Sequence, residues 1–397
     1  MTHPFRQVCG LLAFTTLAAA AADVLDDPSA KPASPTPGRA AHFEGPMRDL
    51  GLLHSDKENS GLNEFWFLGR YHGHYHWSEG TNGNEDAYET RRNRIGFQAR
   101  MFKQLTVHAQ MVSGPDLKPY YNGFTELWVS WAFDDALTLT LGQQKHRFTH
   151  DRNVSSRYLN YLERSMLVNM FALDYTPAVT LSGRMGKFNY YTGLFSNDTS
   201  RDMDRAFTDL NSGWSYIAAG TWDLGKKLGT DASWLTLSYV HSEANRNATL
   251  MNRFHHGVSA AVVLADGPFS LVTEATAGLS GQRGHAYGVN LQPGWFITDK
   301  LQLVGRYQLA GSDQSNGLRA QRRYERTVGM NTGDLYQAAY LGLNYYIFGH
   351  RAKILAGAEY ATLGGRESWM LATGFRIFWG PHSRAPFPAV DPLGGSF

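Results

Sequence analysis

Arg91, Arg92 and Arg94 fall close together, and Arg147, Arg152, Arg157 and Arg164 follow after a gap, so the guanidinium is the chemically active group best represented here. It stays charged at any physiological pH, and its planar donor fork matches phosphate and other oxyanions. A carboxylate such as Glu126 can orient a guanidinium and keep it from holding an anion too tightly. His72, His74 and His76 share one face of an extended segment, a spacing able to ligate zinc or copper. No acidic or cysteine partner stands near them in sequence, so the expected role is a polar wall that gains charge below about pH 6.5. The single cysteine, Cys9, lies in an N-terminal run expected to be removed, which leaves no disulfide, thiolate nucleophile or cysteine metal site. Hydrolysis lacks an evident nucleophile, since neither a Gly-x-Ser-x-Gly elbow nor a Ser/His/acid set stands out. Nothing in these residues calls for a cofactor. With 37 Lys+Arg against 35 Asp+Glu there is no basic footprint for nucleic acid, and any preference for anions must be local.

These side chains need elements to hold them. Residues 1–22 read as an export signal: Arg6 precedes the apolar run from Val8 to Ala22, which ends in Ala20-Ala21-Ala22. Cys9 sits at the start of that run rather than after it, so no lipid anchor is expected. Residues 23–61 read as a flexible N-terminal segment, because Asp23, Asp26, Asp27, Pro28, Pro32, Pro35 and Pro37 among small residues cannot bury a core. No later run reaches the roughly 18 apolar residues of a membrane helix.

From residue 62 the period becomes two. Phe65, Phe67, Tyr71, Tyr75 and Trp77 alternate with Trp66, Leu68, Arg70, His72, His74 and His76. Ile95, Phe97 and Ala99 likewise oppose Arg92, Arg94, Gln98 and Arg100, and Leu127, Val129 and Trp131 oppose Glu126, Trp128 and Ser130. Sixteen such segments run from 62–78 to 368–379. Short turns near Lys103, Asp134-Asp135, Gly186, Asp266-Gly267, Asp299 and Gly349-His350 alternate with longer connections such as 148–176, 198–213 and 311–334; Gly225 to Ala232 is a longer exception. That alternation predicts an all-β, transmembrane antiparallel β-barrel over 62–379, followed by a tail over 380–397. A soluble β-sandwich would also alternate, but gives no reason for aromatic residues near strand ends, as at Trp77, Trp131, Tyr345 to Phe348, Trp369 and Trp379. Barrels of about 16 to 18 strands are too wide for side chains to fill, so the pattern implies passage of solutes.

Leu139-Thr140-Leu141-Gly142-Gln143-Gln144-Lys145, then Ser155-Ser156-Arg157-Tyr158 and Leu162-Glu163-Arg164-Ser165, resemble the phosphate-selective porin O and P family of bacterial outer membranes. Tyr88 to Phe97 looks like that family's Arg-Arg-bearing strand, and Leu181-Ser182-Gly183 with Tyr191 to Asp198 looks like its following hairpin. The resemblance covers roughly residues 88–198. It implies a homotrimeric outer-membrane barrel of sixteen strands whose third extracellular loop folds inward, in keeping with the cleaved signal peptide read from residues 1–22. Arginine and lysine side chains then bind small anions, phosphate or other oxyanions.

By this resemblance Arg91 and Arg92 match the family's arginine pair, Arg152 falls where a loop lysine contacts phosphate, and Glu126 lies in the segment that supplies an acidic residue. Thr125, rather than Asp, stands at the better-known acidic position. Arg94, Lys145 and Arg157 complete the candidate binding set. Strand parity puts Arg92 and Arg94 on the polar face and Arg91 outward, unless a bulge turns it in. The family's ladder of pore arginines is thin here, with only Arg246 and Arg253 between Ser238 and Gly257. Arg319, Arg322, Arg323 and Arg326 instead cluster with Glu325 in a later loop, expected to be solvated or to meet lipopolysaccharide. The C-terminal Phe397 either carries an assembly signal or ends a tail in the periplasm or lumen. A general or sugar-type diffusion porin is the other transport reading, and an outer-membrane barrel enzyme the other class.

Overall fold

The structure, a computed structural model, describes residues 44–381 apart from 59, 115–116, 199–211, 244, 246–247, 249–251, 282–283 and 322–323. The export signal, the Pro-rich stretch, Arg246, Arg322, Arg323 and the tail with Phe397 lie outside the described residues. After a short β1 (Leu52–Ser55), the first long strands are β2 (Leu62–Gly80), β3 (Gly83–Met101), β4 (Leu105–Val112), β5 (Phe124–Ala132) and β6 (Thr138–Lys145). They continue as β7 (Tyr175–Met185), β8 (Phe188–Ser196), β9 (Trp214–Asp223), β10 (Ala232–Ser242), β11 (His256–Asp266) and β12 (Phe269–Leu279). Then come β13 (Ala286–Phe296), β14 (Leu301–Ser312), a small hairpin of β15 (Leu318–Arg319) and β16 (Thr332–Gly333), and finally β17 (Leu335–Phe348), β18 (Ala352–Leu363) and β19 (Arg366–Trp379). Strands β2 to β14 and β17 to β19 form a closed antiparallel barrel, with β14 paired to β17. The last strand returns to the first, from Ser368 opposite Gly80 to Trp379 opposite Gly69.

Part of the segment expected to be flexible is built. A turn of 3-10 helix at Gly45–Met47 precedes β1, which pairs with the start of β2. The reason is Arg351, whose fully buried guanidinium takes the Glu44 carboxylate at 3.1 Å.

Polarity is inverted relative to a water-soluble sheet. Along β17, Leu341, Leu343 and Tyr345 point outward and are exposed, whereas Gly342, Asn344 and Tyr346 point inward and are buried. Val129, Leu141, Val179, Leu194 and Leu371 repeat the exposed set on other strands, while Gln302, Arg306, Lys353, Glu359 and Arg376 are buried inside. A sandwich would bury the first group and hydrate the second. An apolar outer band is what a barrel presents to lipid, and among the described residues no helix is long and apolar enough to cross a membrane. Trp131, Trp295 and Trp369 stand outward near strand ends. Tyr346 departs from the expected girdle: its hydroxyl turns inward and donates to Gln302 Oε1 at 2.6 Å.

One barrel end carries tight turns. Asp134 accepts from the N–H groups of Ala136 and Leu137, both at 2.8 Å, and Gly186 and Gly267 adopt left-handed φ values of 59° and 50° where a Cβ would be strained. The opposite end carries the long connections, of which 146–174 lies between β6 and β7.

Leu341, midway along β17 and 61% exposed, offers a direct test of the lipid-facing surface. Leu341→Arg should destabilise the barrel folded in vesicles by about 2–4 kcal/mol, read by denaturant titration, whereas a water-facing position would be indifferent.

Candidate functional site

The connection 146–174 is held on two sides. Thr149, at φ 72°, caps a helical turn at His150–Asn153 by accepting from the Arg152 N–H at 3.2 Å. Glu274 of β12 accepts from the backbone N–H groups of His150 at 2.5 Å and Asp151 at 3.2 Å. Phe148, Met166, Leu167, Met170 and Phe171 form an apolar cluster with Phe254, Ala286, Ala310 and Tyr336. Further along, cations projecting from the wall meet backbone carbonyls. Arg376 donates to Leu159 at 3.0 Å and to Tyr161 and Leu162 at 2.8 Å, and Lys353 donates to Leu159 at 2.7 Å. Arg306 joins the Glu163 carbonyl at 2.7 Å and the Glu359 carboxylate at 2.8 Å. Irregular backbone needs donors and buried cations need acceptors, so each satisfies the other.

A cavity of about 620 Å³ lies between this segment and the wall from β2 round to β10. Arg70, Lys145, Arg147 and Arg157 line it together with Glu126 and Tyr175. Arg70 stands directly opposite Arg94 in the β2–β3 register and donates to Ser156 Oγ at 2.7 Å. Like charges directly opposed across two strands are destabilising, so this pair is held by its surroundings rather than by mutual attraction. Arg94 donates to the Tyr175 hydroxyl at 3.0 Å, and the guanidinium carbons of Arg94 and Arg152 each lie 5.2 Å from the centre of the Tyr175 ring. Arg157 donates to the Pro381 carbonyl at 2.9 Å, and Lys145 Nζ lies 3.3 Å from the Asn153 carbonyl.

Of the residues singled out from sequence, Glu126, Lys145 and Arg157 line the cavity, and Arg94 and Arg152 reach it through Tyr175. Arg91 and Arg92 are not among its lining side chains. The parity that put Arg91 outward fails for a local reason: His72 opposes Arg92 and Gly73 opposes Thr90, which leaves Arg91 as the extra residue of a β-bulge. Arg91 turns in and grips the Glu163 carboxylate with a two-pronged fork, its Nη2 bond measuring 2.9 Å. A second bulge leaves Thr125 extra beside Glu126, with its hydroxyl donating to the Gln110 carbonyl at 3.1 Å. Arg70 and Tyr175 were missed, although Arg70 shares the face of the histidine series and could have been read from it.

Two expectations need correction. His72, His74 and His76 are buried rather than part of a water-lined wall, the His76 ring lying 4.9 Å from that of Tyr324. The connection holding Arg319 and Arg326 is not simply solvated either. Leu318, Tyr324, Glu325, Val328 and Met330 are buried there, and Glu325 accepts from the Tyr336 hydroxyl at 2.5 Å.

The family described as phosphate-selective porin O and P matches residues 67–358. No curated protein matches the chain. Among solved structures, Salmonella typhi OmpF in complex with daunomycin is similar at 8% identity and a TM-score of 0.58, over 79% of this chain and 98% of that one. An anion-selective porin from Comamonas acidovorans is similar at 11% identity and a TM-score of 0.57, over 79% and 99%. Pseudomonas putida OprB at high pH gives 12% identity and a TM-score of 0.55, over 81% and 94%. At such identities these likenesses concern the barrel fold.

The Arg91–Glu163 fork carries a pH signature. Burial works against ionisation of Glu163, but the Arg91 guanidinium, with Arg92 behind it, more than offsets this and holds the carboxyl down at about 2. Because the folded value lies below the ordinary 4.5, the ion pair contributes fully above that value and is lost as pH falls through about 2. Glu163→Gln should lower the unfolding temperature at neutral pH and lose its effect near the acid limit, read by circular dichroism; equal unfolding temperatures at neutral pH would refute the clamp.

Proposed function

Because the chain belongs to the phosphate-selective porin O and P family, we propose that this outer-membrane porin passes small oxyanions, phosphate or a related anion, through a constriction lined by arginine and lysine. The observation that carries the reading is the opposed pair Arg70 and Arg94, beside Lys145, Arg147 and Arg157, with Glu126 as the nearby carboxylate lining the cavity. A set of cations that repel one another gains stability when an anion enters, and guanidinium forks suit phosphate oxygens. Glu126 keeps the attraction shallow enough for the anion to leave.

In this reading the segment 146–174 is the third external loop, folded into the lumen, and the open path runs between it and the β2–β10 wall. Export through a cleaved signal peptide, assembly as a homotrimer, and contact of the rim with lipid and lipopolysaccharide belong to the same proposal. A channel with no nucleophile assigned needs no reaction step, and passage is passive. A sugar-type diffusion pore is the second reading, favoured by Trp128 and Trp234 among the cavity-lining residues, aromatic surfaces on which a sugar ring could slide.

Planar-bilayer recordings of the mature protein separate the two. In a KCl gradient the reversal potential should show anion preference, and added phosphate should reduce the chloride current. Arg70→Ala and Arg157→Ala should each weaken both effects, whereas Arg92→Ala, outside the cavity lining, should change them less. A non-selective current blocked by a sugar and unaffected by phosphate would overturn the oxyanion reading.

A further inference from the structure

We propose a divalent metal site, suited to zinc, formed by His74, Glu89 and Glu163. His74 on β2 and Glu89 on β3 are direct cross-strand partners, and Glu163 is brought to them by the connection 146–174. One ligand atom from each lies within 4.8 Å of those of the other two. Among the described residues no other group of three His, Cys, Asp or Glu side chains meets that spacing. In sequence the set is invisible, since its members come from two strands and a loop.

The second observation is the state of His74. Its side chain is fully buried, its Nδ1 lies 3.5 Å from the Tyr324 hydroxyl, and its Nε2 has no hydrogen-bond partner. A buried ring nitrogen without a partner loses its hydration and gains nothing in return, unless something binds there. A neutral imidazole and two carboxylates match the charge of a divalent ion and belong to the ligand types zinc takes. Ligand atoms about 2.0–2.1 Å from a tetrahedral zinc stand about 3.3 Å apart, so the trio must contract to bind it, and Glu89 is the least buried of the three.

Arg91 does not occupy the site's role. A carboxylate offers about four lone-pair positions, so Glu163 can hold the Arg91 fork and still present an oxygen to a metal. The positive charges of Arg376, Arg92 and Arg91 around His74 oppose the ion and favour a site that exchanges its metal rather than one that is permanently filled. A bound ion would join the loop to the β2–β3 wall at a second point beside the arginine clamp. The binding measurement stands apart from anion selectivity, so failure of either reading leaves the other testable.

The test is calorimetric titration of the folded porin in detergent with ZnCl₂. One ion per chain is expected, with affinity falling at least about tenfold in His74→Ala and in Glu89→Gln. His241→Ala, on the outer face, serves as the control that should bind as the parent does. Co²⁺ substitution supplies a second readout, a visible absorption band present in the parent and lost in either variant. If His74→Ala fails to fold by gel mobility, Glu89→Gln, close in shape to the original, decides the comparison. Absence of saturable zinc binding, or binding undiminished in the folded variants, would overturn the site.

Discussion

Hydrocarbon offers the peptide backbone no hydrogen-bond partner, and that constraint governs everything else in this molecule. Every strand edge must be paired, so the sheet closes, and the seam between β19 and β2 is where closure is completed. Packing there is tight: a Cβ on Gly69 would sit 2.2 Å from the Trp379 ring. A closed sheet of sixteen strands then encloses more space than its own inward side chains can fill. Chain or water must occupy the remainder. The connection 146–174 packs its apolar cluster against residues of the wall, and side chains of the same connection line part of the cavity.

Interior cations consequently fall into two groups with different chemistry. Arg306, Lys353 and Arg376 donate to the carbonyls of residues 159–163, and Arg306 is also paired with the Glu359 carboxylate, so these cations seat the segment. Arg70, Lys145, Arg147 and Arg157 line the cavity, and of these Arg70, Lys145 and Arg157 also donate to Ser156, Asn153 and Pro381. Arg70 and Arg94 oppose each other directly, and the Glu126 carboxylate among the cavity-lining residues attracts both and offsets their repulsion.

The barrel was legible because its information is local. Inside/outside alternation repeats on every strand, as from Leu341 to Tyr346, and turn residues such as Asp134 and Gly186 punctuate it. What escaped the sequence was non-local or depended on a break in that alternation. Nothing near His74 in the chain announces Glu163, and nothing about Arg70 announces that Ser156 will meet it. The segment carrying Tyr324 and Glu325 read as solvated because its polar residues are contiguous, yet its buried members are anchored by Tyr336, a residue of the barrel wall. Of the pair chosen by motif, Arg91 grips Glu163 of the loop and Arg92 stands beside His72 on the neighbouring strand, and neither lines the cavity, because similarity of sequence marks a strand without fixing its register.

Register is also where the two halves of the site are connected. The extra residue at Arg91 reverses the parity of β3, so that Glu89 faces inward on one side of the bulge and Arg92 and Arg94 face inward on the other. Without it, an unbroken alternation that kept Arg92 and Arg94 inside would point Glu89 outward and turn Tyr88 in. Tyr88 is instead 57% exposed on the outer surface, where an aromatic ring suits the membrane interface and a carboxylate does not. One inserted residue thereby sorts the charges along a single strand, placing a carboxylate toward the long-loop end and guanidinium groups deeper in the barrel. It also turns Arg91 toward Glu163, which couples the wall to the loop at the level where the sorting occurs. A β-bulge here acts as the device by which a sheet required by lipid to be regular acquires an irregular, charged interior.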